Sequence, residues 1–156
     1  MNTAPPVPPE NDAALHELVG RYQNLSLDNL SSLLQLYSDD AWFKDPFNQV
    51  TGRAAIGKIF THMFRTVHEP RFAVTSALRQ GDQAFLIWEF RFRRRSPTGS
   101  AGAELHVHGS THLRYGAHGL VCYHRDYWDA AEELYEKFPV IGAVLRRLKR
   151  ALRTPM

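Results

Sequence analysis

Cysteine is nearly absent from this chain: Cys122 stands alone, so no disulfide can form within it and the sequence suits a reducing compartment. Long apolar runs are missing as well, none approaching the roughly 18 residues a helix needs to cross a bilayer. The opening MNTAPPVPPEND has neither a basic segment nor an apolar core, which argues against a secretory signal and predicts a flexible proline-rich leader over residues 1–11. A cytoplasmic protein is therefore expected. Acids are missing between Lys137 and Arg153, where six bases occur (Lys137, Arg146, Arg147, Lys149, Arg150 and Arg153). Without that segment the net charge of +3 becomes −3, so the basicity belongs to the tail. A nucleic-acid surface, which interleaves basic and aromatic residues over a folded face, is not expected.

What is present fits one globular domain. Of 156 residues, 44% are hydrophobic and 22% charged, enough for a single core. Asn11 or Asp12 can cap a first helix carrying Leu15, Leu18, Val19, Tyr22 and Leu25. Ser26 or Asp28 can open a second with Leu30, Leu33, Leu34 and Tyr37, closed by Ser38-Asp39-Asp40. Thr51-Gly52 leads into a third with Ile56, Ile59, Phe60, Met63 and Phe64, which Pro70 prevents from continuing.

Strand patterns follow. Arg71 to Gln80 reads as one strand, Gly81-Asp82 as a tight turn, and Gln83 to Arg95 as a half-buried strand with Ala84, Leu86, Trp88, Phe90 and Phe92 on one face. After a loop with Pro97, Gly99 and Gly102, Glu104 to Tyr115 places Leu105, Val107, Gly109, Thr111, Leu113 and Tyr115 inward. His106, His108, Ser110, His112 and Arg114 face outward. A turn at Gly116 to Gly119 returns the chain through Leu120 to Trp128, and a last helix starts near Ala130. Helices first and a strand meander second argue for an α+β fold, with helices on one face of a curved antiparallel sheet and a hollow between them.

Two segments carry candidate chemistry. Asp45, between Phe43 and Pro46, is either a carboxylate facing an apolar space or the opener of a turn satisfied by local hydrogen bonds. On the last strand His124, Asp126 and Trp128 alternate onto one face, and Asp126 could also form an ion pair with Arg125, Arg114 or a helix amine, or cap the helix beginning at Ala130. His106, His108 and His112 share an outward face, but of acids only Glu104 accompanies them on that strand, and no metal is expected. Cys122, within a strand, reads as a small core residue rather than a nucleophile.

Arg21-Tyr22, Leu36-Tyr37-Ser38-Asp39-Asp40-Ala41, Asp45-Pro46, Gly52-Arg53-Ala54-Ala55-Ile56, Thr111-His112-Leu113-Arg114-Tyr115 and Arg125-Asp126-Tyr127-Trp128, in this order, resemble ketosteroid isomerases and SnoaL-like polyketide cyclases of the nuclear transport factor 2-like superfamily. The resemblance covers residues 12–129 and implies a cone with a deep apolar pocket, usually a homodimer joined through the sheet. It implies Asp45 as proton-transferring base and Tyr22 as oxyanion donor, with Thr111 at the position of a second acid. SnoaL-like cyclases use an acid on the last strand, which implies Asp126 as base with His124 as a second proton handler. Phe43, Phe60, Trp88, Thr111 and Trp128 are the expected ligand contacts. Limonene epoxide hydrolases need an Arg-x-Asp that Gly109-Ser110-Thr111-His112 does not supply. The activity implied is a cofactor-independent isomerase or cyclase acting on a small hydrophobic carbonyl compound; the alternative is a noncatalytic carrier of an apolar ligand.

Residues 130–153 extend past the resemblance. Leu134, Phe138, Ile141, Leu145, Leu148 and Leu152 form an apolar stripe on a basic helix that Pro139 kinks or restarts. The stripe is expected to fold back on the domain or across a dimer, or else to lie on an anionic membrane surface.

Overall fold

The structure, a computed structural model, describes residues 12–95 and 101–154. The expected leader, Asn11 as alternative cap, and Pro97 and Gly99 of the expected loop lie outside the described residues. Asp12 opens α1 (Ala13–Gln23) by accepting the Leu15 amide at 3.0 Å, and helical spacing places Leu15, Leu18 and Tyr22 in the core. The second helix is shorter than its pattern suggested. It runs only over α2 (Leu30–Leu34), with Asn29 in place of Ser26 or Asp28 at its start. Tyr37, expected to extend this helix, instead begins β1 (Tyr37–Lys44), and Ser38-Asp39-Asp40 belongs to that strand. The reason is tertiary: Tyr37 pairs with Val121, and local helix preference yields to a partner strand far along the chain.

A hairpin joins β1 to β2 (Gln49–Thr51), and Gly52, at φ +102°, turns the chain into α3 (Arg53–Thr66). Ile56, Phe60 and Phe64 of α3 are buried. The helix stops at Thr66, and β3 (Val67–Gln80) starts four residues earlier than expected, with Pro70 inside it. As an edge strand, β3 tolerates the missing amide hydrogen. Next come β4 (Gln83–Arg95), β5 (Ala101–Tyr115) and β6 (Val121–Tyr127). Gly102, expected in a loop, lies in β5.

The six strands form one sheet in the order β2-β1-β6-β5-β4-β3. The sheet is not wholly antiparallel as expected: β1 and β6 run parallel, because the chain crosses the whole sheet before β6 returns beside β1. Register shifts in the β3–β4 ladder bend the sheet, and α1 and α3 pack over its concave face. Leu86, Trp88, Phe90, Leu105, Val107, Thr111 and Leu113 face inward as the alternation predicts.

The expected single helix over 130–153 is interrupted. α4 (Ala130–Glu133) is capped by Asp129, which accepts the Ala131 and Glu132 amides; a 3-10 turn spans Tyr135–Lys137; and α5 (Pro139–Leu152) begins at the proline. Proline cannot continue a helix but suits its first turn. The stripe divides: Leu134, at its start, lines the cavity between helices and sheet, whereas Ile141, Leu148 and Leu152 on α5 are 50%, 57% and 78% exposed.

Candidate active site

Between the concave face of the sheet and α3 lies a cavity of about 690 Å³. Tyr22, Phe43, Asp45, Phe60, Trp88, Thr111, Asp126 and Trp128, eight of the nine residues singled out from the sequence, line it. His124 does not. It is 1% exposed and sits behind the wall, its ring centroid 4.6 Å from that of Phe43.

One hydrogen-bonded chain joins the polar members. Trp88 Nε1 donates to Thr111 Oγ1 at 2.8 Å, and the Thr111 hydroxyl donates to Asp126 Oδ1 at 2.5 Å. His124 Nε2 lies 2.9 Å from the same Oδ1. On its other side His124 Nδ1 is 2.7 Å from the Tyr37 hydroxyl and 3.2 Å from that of Tyr22, and the two tyrosine hydroxyls are 2.5 Å apart. With Asp126 ionised, this pattern assigns the His124 proton to Nε2, leaving Nδ1 to accept from a tyrosine. Strand register builds the group: Thr111 stands directly opposite Asp126, and Phe43 opposite His124.

Trp88 reaches Thr111 because its ring lies over Gly109. A Cβ there would fall 2.3 Å from two carbons of the indole, so the absence of a side chain is what admits the ring. Burial pushes the Tyr22 hydroxyl well above its ordinary range, helped by Tyr37 and Asp126. Burial likewise raises Tyr37. Both therefore act as neutral hydroxyls, able to donate.

The two candidate acids differ. Asp45 Oδ1 accepts the amides of Phe47 at 2.7 Å and Asn48 at 2.6 Å, and Asn48 Nδ2 donates to both carboxylate oxygens. Asp45 thus closes the β1–β2 turn at the rim of the cavity. Asp126 forms neither the ion pair with Arg125 or Arg114 nor the helix cap considered from the sequence. Asp129 is the cap, and the Asp126 bonds run to Thr111 and His124 through Oδ1 alone. Its Oδ2 has no hydrogen-bond partner among the described residues. Thr111, expected as a ligand contact at the position of a second acid, lines the cavity but directs its hydroxyl hydrogen to Asp126.

Tyr37 was missed as a site residue because it read as part of a helix. Only the pairing of β1 with β6 places it at the histidine.

The SnoaL-like domain profile matches residues 20–124. No curated protein matches the chain. Among solved structures, a hypothetical protein of ketosteroid isomerase-like fold from Catenulispora acidiphila, in complex with trimethylamine, is 18% identical, with a TM-score of 0.66 over 79% of this chain and 90% of that one. A candidate polyketide cyclase from Pseudomonas putida is 12% identical, with a TM-score of 0.66 over 81% and 96%. AclR, a candidate hydroxylase from Streptomyces galilaeus, is 20% identical, with a TM-score of 0.64 over 86% and 96%. At these identities the likenesses establish the fold, a nuclear transport factor 2-like cone. The profile spans more than half of the chain, and by that match, on this cone and around this cavity, the chain belongs to the SnoaL-like domain family.

Proposed function

We propose that the protein catalyses proton transfer on a small hydrophobic carbonyl compound of steroid, polyketide or lipid type, as an isomerase or cyclase needing no cofactor. The observation that carries this reading is Asp126: one oxygen fixed by Thr111 and His124, the other without a hydrogen-bond partner among the described residues, in the wall of an apolar cavity. Asp126 is the base, and its Oδ2 takes a proton from carbon next to the carbonyl. His124 orients the carboxylate and shares the proton it gains. Tyr22 lines the cavity as a neutral hydroxyl and donates to the oxygen on which negative charge develops, while Tyr37 donates to His124 Nδ1. Asp45 shapes the rim in this scheme rather than reacting. The test is α-proton exchange of cyclic ketones and β-diketones in D2O, followed by NMR. Wild-type protein should accelerate exchange and Asp126→Asn should not; equal rates for the two proteins would remove Asp126 as the base.

A second reading, a carrier of apolar ligands at an anionic lipid surface, is favoured by α5. Val140, Ile141, Val144, Leu148 and Leu152 present an exposed apolar face, 50–78% accessible, with Arg147 and Arg150 among the bases alongside it. Glu132 and Glu136 bind Lys149 at 2.8 and 2.7 Å and hold its ammonium above the ordinary lysine range. Leu134 lines the cavity just before α5, and Phe47 at the rim contacts both Trp128 and Tyr135, so this helix leaves from the cavity mouth. Co-sedimentation with phosphatidylglycerol vesicles, absent with phosphatidylcholine and lost in an Ile141→Glu/Leu148→Glu variant, is the expected result. Equal recovery with both lipids, or none with either, contradicts it. Self-association through the sheet is supported by exposed Leu78, Phe85 and Ile87, and sedimentation velocity that finds only monomer would refute it.

A further inference from the structure

The convex face of the sheet carries a cluster that the cavity chemistry does not use. His106 and His108 are two residues apart on β5, so their side chains leave the same face, and Glu89 on β4 stands directly opposite His108. His106 Nε2 lies 3.1 Å from Glu89 Oε2, and His108 Nε2 lies 3.6 Å from Glu89 Oε1. One ring nitrogen of each histidine and a Glu89 oxygen fall within 4.8 Å of one another. Tetrahedral zinc, with bonds of about 2.1 Å, separates its donors by about 3.4 Å, so a small turn of one imidazole brings the three into place.

Two features distinguish this from a surface ion pair. His106 Nε2 is buried and finds no hydrogen-bond partner among the described residues, although it lies 3.1 Å from Glu89 Oε2. A cation between the two groups would satisfy both. The outer contacts also fit a metal's supporting shell. Glu133 of α4 lies 3.6 Å from His108 Nδ1, the nitrogen away from Glu89, and Arg91 holds Glu89 Oε2 at 2.9 Å. Metal-bound histidines are commonly oriented by a carboxylate on the far nitrogen, and ligating carboxylates are themselves hydrogen-bonded.

We propose that Glu89, His106 and His108 form a binding site for a divalent transition metal, oriented by Glu133 and Arg91, on the sheet face opposite the cavity. Two imidazoles and one carboxylate suit zinc and its neighbours in the first transition row over magnesium or calcium, which prefer oxygen ligands. Three protein ligands leave a coordination position for water or another donor. From the sequence no metal was expected, because Glu104 was the only acid visible on the strand. Glu89 joins the histidines through the β4–β5 register, which the local pattern does not contain.

The experiment titrates Zn2+ into the full chain in competition with a chromophoric chelator. Wild-type protein should take up one Zn2+ per chain, unaffected by equal concentrations of Mg2+ or Ca2+. His106→Ala/His108→Ala should abolish this uptake, Glu89→Gln should weaken it more than tenfold, and Glu133→Gln should weaken it about tenfold. Melting curves without metal establish that each variant is folded, and Glu89→Gln decides the matter if the double variant is not. No saturable uptake, displacement by Mg2+ or Ca2+, or undiminished affinity in the double variant or in Glu89→Gln would overturn the site. Unchanged affinity in Glu133→Gln would overturn the orienting role.

Discussion

Two aspartates reach the same cavity, one from a turn and one from a strand, and the chain treats them in opposite ways. Asp45, at the tip of the β1–β2 hairpin, has both oxygens hydrogen-bonded within three residues of itself. Asp126, on β6, is bonded through Oδ1 to Thr111, which strand pairing brings across from β5, and to buried His124 two residues away on its own strand, while its Oδ2 has no hydrogen-bond partner among the described residues. A carboxylate satisfied by its own turn is set by local sequence and serves the turn. One positioned by β5 and a buried histidine is set by the fold and can serve a ligand.

The comparison can be broken at several points. The largest effect is expected at His124, the buried link between Asp126 and the tyrosines. His124→Ala leaves the Tyr37 hydroxyl and Asp126 Oδ1 short of partners around a new void and should cost about 3 kcal/mol or more in urea unfolding. Alkaline pH tests the same end of the cavity. Tyr22 and Tyr37 have folded-state pKa values raised above the unfolded value of about 10, so the stability they confer is complete below pH 10 and is lost as pH rises beyond it. Each should lower unfolding free energy by about 1.4 kcal/mol per pH unit above 10, visible as a falling melting temperature. Tyr115, pushed up to about 12 by burial, adds a smaller share, and absorbance at 295 nm should show the three ionising late.

Gly109→Ala puts a methyl group where the Trp88 indole lies and should cost about 2 kcal/mol, with a change in tryptophan fluorescence as Trp88 leaves Thr111. Asp45→Ala removes the turn's acceptor and should cost only about 1 kcal/mol while leaving proton exchange within a few-fold of wild type. Exchange that collapses in Asp45→Ala would reverse the assignment of the two acids.

These sites also mark how much the sequence reveals. Period-two alternation in Gln83–Arg95 and Glu104–Tyr115 is strong enough to place Trp88, Thr111 and their neighbours on the cavity side, because each strand has one buried face. The cone was legible from ordered short motifs. The aspartates were identified, but their roles depend on bonding partners: Asn48 lies close enough in sequence to be suspected, whereas His124 joins Tyr37 across 87 residues. The parallel β1–β6 pairing leaves no hairpin signal, so Tyr37 read as helix. The cross-strand position of Glu89 likewise hid its relation to His106 and His108. The tail's break follows from Pro139, yet whether its stripe packs on the domain depends on surfaces outside the tail.

The most direct test is a double-mutant cycle on the exchange reaction, with wild type, Asp126→Asn, Asp45→Asn and the double variant measured on whichever ketone wild type exchanges fastest. The account predicts a loss of a hundredfold or more in Asp126→Asn, a rate near wild type in Asp45→Asn, and a double variant no slower than Asp126→Asn alone. Exchange that survives in Asp126→Asn and disappears in Asp45→Asn would contradict it.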